Sequence, residues 1–224
     1  MRKVINERPA ADETIVEGFR GLLGYYSPSC FVSDVMERAR TMRSDIKPVV
    51  KGRFAGPALT VRLYPGDLVD CLDALKVAQE GDVIVVDAAG ETETSIWGGL
   101  MAGLCLQKGV VGAVVDGAIR DIDEIADLGF PIYSRAVIPR STHSPYSGRL
   151  EPIEVNVGIN CGACAVEPGD IILADEIGIV SVPRDEAADV LQRATEQAKQ
   201  EEATRALIKE GRSVDELLAE FGRL

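Results

Sequence analysis

Histidine is nearly absent: the 224-residue chain has one, His143. A Ser-His-Asp triad would have to use that residue, and a zinc centre built on several histidines is excluded. Any metal would rest on carboxylates and water, a donor set that suits magnesium or manganese. Positive charge is also scarce, with 24 Lys and Arg against 36 Asp and Glu and a net charge of -12. The densest basic stretch, Arg38 to Arg53, is broken by Met42, Ile46, Pro48 and Val49. An acidic surface without a basic patch repels phosphate backbones, so no nucleic-acid partner is expected. No apolar run is long enough to span a bilayer, and the opening MRKVINERPAADE lacks the apolar centre of a secretory leader. No membrane partner and a cytoplasmic location are therefore expected. Five cysteines, an odd number, fit free thiols in a reducing compartment.

Repeats, low-complexity tracts and linker-like stretches are missing too. The length and the 46% hydrophobic content suit one compact domain over 1–224, with 184–224 as a helical C-terminal extension. The spacing predicts a short helix over 13–24 and another from Ser33 to Arg40, opening on a Ser-Asp cap. RFAGPALTVRLYPGD, 53–67, reads as a strand closed by a Pro-Gly-Asp turn, and 68–79 has helical spacing. VIVVDAAG, 83–90, is a buried strand with a polar end. GGLMAGLCLQKG, 98–109, is a helix stopped by Gly109. VVGAVVDG is a second buried strand, DIDEIADLG (121–129) a helix ended by Gly129, and FPIYSRAVIP (130–139) a third strand. This alternation predicts an α/β fold. Residues 140–166 read as loop-rich. Two short strands then flank a polar turn at Asp175-Glu176, a long polar helix runs from Arg184 to about Glu210, and a short amphipathic helix covers 213–222.

Two segments carry candidate chemistry. In VVDGAIRDIDEI an apolar run ends just before Arg120-Asp121. Asp121 and Glu124 have the spacing of a helix capping box, and Asp123 would favour the positive end of the same helix. Arg120 is not explained by capping. An arginine just past a buried strand faces the crevice where α/β proteins bind ligands, and its planar guanidinium suits a carboxylate. In WGGLMAG, Gly98 and Gly99 precede a helix whose first N–H groups are free to hold an anion. No full G-x-G-x-x-G fingerprint accompanies them, so a dinucleotide is not expected. Together the amides of Leu100 and Met101 and the guanidinium of Arg120 would hold a small 2-oxo acid, with Asp121 holding a divalent cation beside it. Such a cation acts as a Lewis acid, stabilising an enolate as a C–C bond breaks.

From FAGPALTV through GDVIVVDAAG, WGGLMAGLCLQKGVVGAVVDGAIRD and GFPIYSRAVIPR to VEPGDIILADEIGIVSVP, the chain resembles the RraA-like family. That family includes class II pyruvate aldolases acting on 4-hydroxy-4-methyl-2-oxoglutarate. The resemblance implies a β-rich α/β sandwich with a long C-terminal helix, assembled as a homotrimer or homohexamer with sites between subunits. It implies pyruvate binding at Arg120, a magnesium or manganese ion at Asp121, and substrate contacts from the turn Gly98–Met101. The implied activities are aldol cleavage of a 4-hydroxy-2-oxo acid and decarboxylation of oxaloacetate to pyruvate. The aldolase members carry an aspartate at the position of Gly99, which orders metal-bound water. Asp116, Asp87 and Glu201 of a neighbouring subunit are possible substitutes. The family also holds a regulator that inhibits a ribonuclease by binding it, without catalysis. The ordinary regulator lacks the full Arg-Asp pair, so the pair favours a lyase.

Smaller signals have plain readings. Cys161-Gly-Ala-Cys164 has redox or zinc-knuckle spacing but no second pair in reach, and reads as a strand entry. His143 reads as a loop residue. Trp97 could wall a pocket or pack in the core. Asp175-Glu176 reads as turn chemistry.

Overall fold

The computed structural model describes residues 3–64, 71–142 and 153–222. In chain order the elements are β1 (Val4–Ile5), α1 (Glu13–Leu22), α2 (Pro28–Val35), β2 (Lys47–Val50), β3 (Phe54–Leu63), a 3-10 turn (Leu72–Lys76), β4 (Val83–Trp97) and α3 (Gly99–Gln107). There follow β5 (Gly112–Ile119), α4 (Ile122–Asp127), β6 (Ile132–Val137), β7 (Ile153–Val155), β8 (Ile159–Cys161) and β9 (Cys164–Val166). The chain closes with β10 (Ile171–Ala174), β11 (Ile179–Val182), α5 (Ala187–Lys209) and α6 (Val214–Phe221).

Strands β3, β4, β5 and β6 lie side by side and parallel. Their Val, Ile and Ala runs are buried on both faces, as parallel strands require. β2 closes one edge antiparallel to β6, and β7 pairs antiparallel with the end of β3. The start of β3 pairs instead with β10, which carries β11. One strand therefore feeds two sheets, and this produces the β-rich α/β sandwich. A first apolar cluster lies under α3 and α4, around Leu59, Ile84, Val115, Ile119 and Phe130. A second joins β10 and β11 to α1, α2 and α5. A third lies beneath the β8–β9 hairpin.

Several expectations are corrected. The second helix begins at Pro28, not Ser33, because proline is preset for the first helical position and Asp175 accepts bonds from both the Ser29 N–H and its hydroxyl. Beyond Met36 the chain leaves the helix, with Glu37, Arg38 and Arg40 at positive φ. Of the helix expected over 68–79, the described part forms only the 3-10 turn; the Pro-Gly-Asp turn lies outside the described residues. β4 does not stop at Gly90. It continues to Trp97 through a run of register shifts against β5, starting where Ala89 and Gly90 take positive φ. The loop-rich 140–166 carries three short strands. Asp175 is more than a turn residue: fully buried, it also accepts the Ile177 and Gly178 N–H groups and ties α2 to the β10–β11 turn.

Candidate functional site

Parallel strands deliver their loops to one edge of the sheet, at the strands' carboxyl ends. There Trp97 closes β4 and Ile119 closes β5, in register with each other. The Arg120 N–H donates to the Trp97 carbonyl at 2.9 Å, so the two loops leave side by side. Gly98 and Gly99 turn the first loop into α3; Arg120 and Asp121 turn the second into α4.

The capping-box reading of Asp121 and Glu124 is not realised. Asp121 sits in the left-handed region at φ 54° and makes no side-chain cap. Its carboxylate is drawn across to the other loop, where it accepts the Gly99 N–H at 3.2 Å. The Arg120 Nε lies 3.4 Å from the same oxygen. Aspartate tolerates this backbone better than most residues with a side chain, because its short polar group bonds locally. A Cβ on Gly98 would strike the Asp121 carboxylate, so the bare turn is what admits that carboxylate.

Gly99 is matched in the same way. A Cβ built there would run into Glu124, coming within 2.7 Å of its Cγ and closer still to its carboxylate. Glu124, from the first turn of α4, therefore fills the space that a side chain at position 99 would take. Sequence reasoning missed this residue as a site candidate. The signal was the Asp121-x-x-Glu124 spacing itself, read as a cap. The substitutes considered for a carboxylate at 99 are engaged elsewhere. Asp116 is buried, ion-paired to Arg135 and bonded to the Gly162 N–H. Asp87 accepts the Ala89 and Asn160 N–H groups, and within this chain Glu201 pairs with Arg205 along α5.

At the start of α3 the Leu100 and Met101 N–H groups have no acceptor among the described residues. The Leu100 side chain is 79% exposed beside them, while Met101 is buried. Trp97 belongs to the core, stacked on Phe130 at 6.1 Å. Asp121 and Glu124 thus supply two carboxylates, with Arg120 as the cation, around an open cradle of N–H groups. Among the described residues no three Asp, Glu, His or Cys groups converge into a closed metal cage. Magnesium and manganese fit such a site, since they keep several waters and take one or two carboxylates. Cys161 and Cys164 face each other across the β8–β9 hairpin as free, buried thiols. Burial raises both, Cys164 to about 11, which suits packing rather than ligation. His143 lies outside the described residues.

Comparison with known proteins agrees with this architecture. A protein from Halalkalibacterium halodurans named "Putative 4-hydroxy-4-methyl-2-oxoglutarate aldolase" is 35% identical over 82% of this chain and 85% of its own length. The 4-hydroxy-4-methyl-2-oxoglutarate aldolase of Thermus thermophilus is 32% identical over 59% of this chain and 77% of its own. Among solved structures, Streptomyces coelicolor RraAS2, described as an unusual member of the RNase ES inhibitor RraA protein family, superposes with a TM-score of 0.73. It is 28% identical and covers 88% of this chain and 99% of its own. No helix among the described residues is long and apolar enough to cross a membrane. The family model described as "RraA-like: Aldolase/RraA" matches residues 29–181, and the chain belongs to that family.

Proposed function

We propose that this protein is a divalent-metal-dependent carbon–carbon lyase for 2-oxo acids. It would cleave a 4-hydroxy-2-oxo acid by retro-aldol reaction or decarboxylate oxaloacetate, giving pyruvate in either case. The observation that carries the reading is the cradle itself. Arg120, Asp121 and Glu124 come from one β5–α4 loop, and both carboxylates lie against a Gly98-Gly99 turn that has room for them.

The residues divide the work by charge. The Arg120 guanidinium and the Leu100 and Met101 N–H groups bind the substrate's C1 carboxylate. Asp121 and Glu124 would hold a magnesium or manganese ion, which when bound supplies positive charge at the 2-oxo oxygen. Glu124 Oε2 takes the proton of the 4-hydroxyl as the C3–C4 bond breaks; the bonding pair passes to C3 as the pyruvate enolate, and a carbonyl compound leaves. Returning the proton to C3 completes pyruvate. With oxaloacetate, carbon dioxide leaves and only the proton delivery is needed. Exposed Leu100, Leu104 and Leu128 beside the cradle support a homotrimer or homohexamer with sites between subunits. The acidic, thiol-bearing chain suits the cytoplasm.

The test is oxaloacetate decarboxylation by chelator-stripped protein with and without added magnesium or manganese, against metal-only blanks. Metal-dependent turnover that Arg120→Ala abolishes supports the reading; no turnover above the blank removes it. The likeness to RraAS2 favours one other reading, a regulator acting by protein contact. That reading predicts binding to a ribonuclease, unchanged by Arg120→Ala.

A further inference from the structure

We propose that Arg140 binds a second, distal carboxylate, so that the site selects dicarboxylic 2-oxo acids. The inference rests on the lyase reading, in which Arg120 takes the C1 carboxylate. Arg140 follows β6, as Arg120 follows β5, and both stand at the same edge of the sheet. The end of β4 fixes both backbones. Trp97 accepts the Arg120 N–H at 2.9 Å, and the Ser95 N–H donates to the Arg140 carbonyl at 2.7 Å. A bridge between Ser95 and Ser141 and a bond from the Ile138 N–H to the Ile119 carbonyl secure the crossing. Two residues of extended chain span roughly 7 Å, so the two arginines rise from neighbouring points. A five-carbon diacid sets its carboxylates roughly 5 Å apart, within reach of two such long side chains.

The charges around them differ in a useful way. Arg120 already faces Asp121, at 3.4 Å. Every ion pair of Arg43, Arg53, Arg62 and Arg135 is with a carboxylate of the protein. Arg140 is exposed and its guanidinium has no ion-pair or hydrogen-bond partner among the described residues. An arginine whose backbone is pinned while its charge is unpaired, in a chain of net charge -12, is a free receptor for an external carboxylate.

The test is calorimetric titration of the full chain, in magnesium buffer, with 2-oxoglutarate and with 2-oxopentanoate, which has a methyl group in place of the distal carboxylate. Neither has a 4-hydroxyl, so neither can undergo the aldol cleavage. The wild type is expected to prefer 2-oxoglutarate by roughly tenfold or more, the worth of a charged hydrogen bond. Arg140→Ala should erase the preference and leave 2-oxopentanoate binding unchanged; Arg140→Lys should retain part of it. No binding of 2-oxoglutarate, equal affinities in the wild type, or a preference that survives Arg140→Ala overturns the proposal. Arg120→Ala distinguishes the two readings: it should weaken both ligands alike. If it weakens neither while Arg140→Ala still erases the preference, the lyase reading fails and the distal-carboxylate site stands.

Discussion

Moving a carboxylate from Glu124 to position 99 separates chemistry from scaffolding at the candidate site. The space at Gly99 is occupied by the Glu124 side chain, which a Cβ there would meet within 2.7 Å of Cγ. Glu124→Ala empties that space without touching the buried core, since Glu124 is exposed and its neighbour Ile125 supplies the packing. Stability should stay within about 0.5 kcal/mol. Turnover of a 4-hydroxy-2-oxo acid should fall by roughly 10²–10⁴, the usual worth of a positioned general base. Adding Gly99→Asp to Glu124→Ala restores a carboxylate in the vacated space and should recover a substantial part of the loss. Gly99→Asp alone should not help. It sets two carboxylates about 4 Å apart, a repulsion of about 1 kcal/mol in water and about 4 kcal/mol at a partly shielded surface. The assay is pyruvate release followed by a coupled dehydrogenase, with thermal melting as a control. Full activity in Glu124→Ala would refute the role given to that carboxylate. A double variant no better than the single one would show that position 99 cannot stand in for it.

Asp121→Asn should keep the fold, because asparagine also tolerates the left-handed backbone and can still accept the Gly99 N–H. Its magnesium or manganese affinity should fall at least tenfold by calorimetry; unchanged affinity contradicts a ligand role. A second prediction concerns stability. Arg8 pairs with the fully buried Asp82 at 2.6 Å, and burial still raises the Asp82 carboxyl above its ordinary range. Arg8→Met strands that charge and should cost about 3 kcal/mol at pH 7 in urea denaturation. A raised pKa means the folded state binds the proton before the unfolded chain does. Folding is therefore favoured as pH falls through the raised value and penalised as it rises above. The loss should shrink between pH 7 and pH 5, and a loss that grows on acidification contradicts the assignment.

The parallel core was legible because its strands are buried on both faces and so are written as Val-Ile runs, and because Gly109, Gly129 and Gly211 take the positive φ that ends helices. Pairing was less legible. The register shifts that stretch β4 to Trp97 depend on β5 and on the 140–141 segment, which no local pattern reports. Two stretches with the same capping spacing show the limit most clearly. Ser213 and Glu216 form the full box at the start of α6. Asp121 and Glu124 do not, because the Gly98-Gly99 turn, distant in sequence, offers Asp121 an N–H and leaves Glu124 a cavity. Arg120 and Asp121 could be picked out because capping left the arginine unexplained; Glu124 was hidden by an adequate local explanation.

The most direct test of the account is exchange of the pyruvate methyl protons with deuterium oxide, followed by proton NMR. It reports enolate formation and reprotonation at C3 without needing the physiological substrate. The account predicts exchange that requires added magnesium or manganese, exceeds the metal-only blank and is lost in Arg120→Ala. Exchange no faster than the blank, or equally fast in Arg120→Ala, would contradict a 2-oxo-acid lyase built on this cradle.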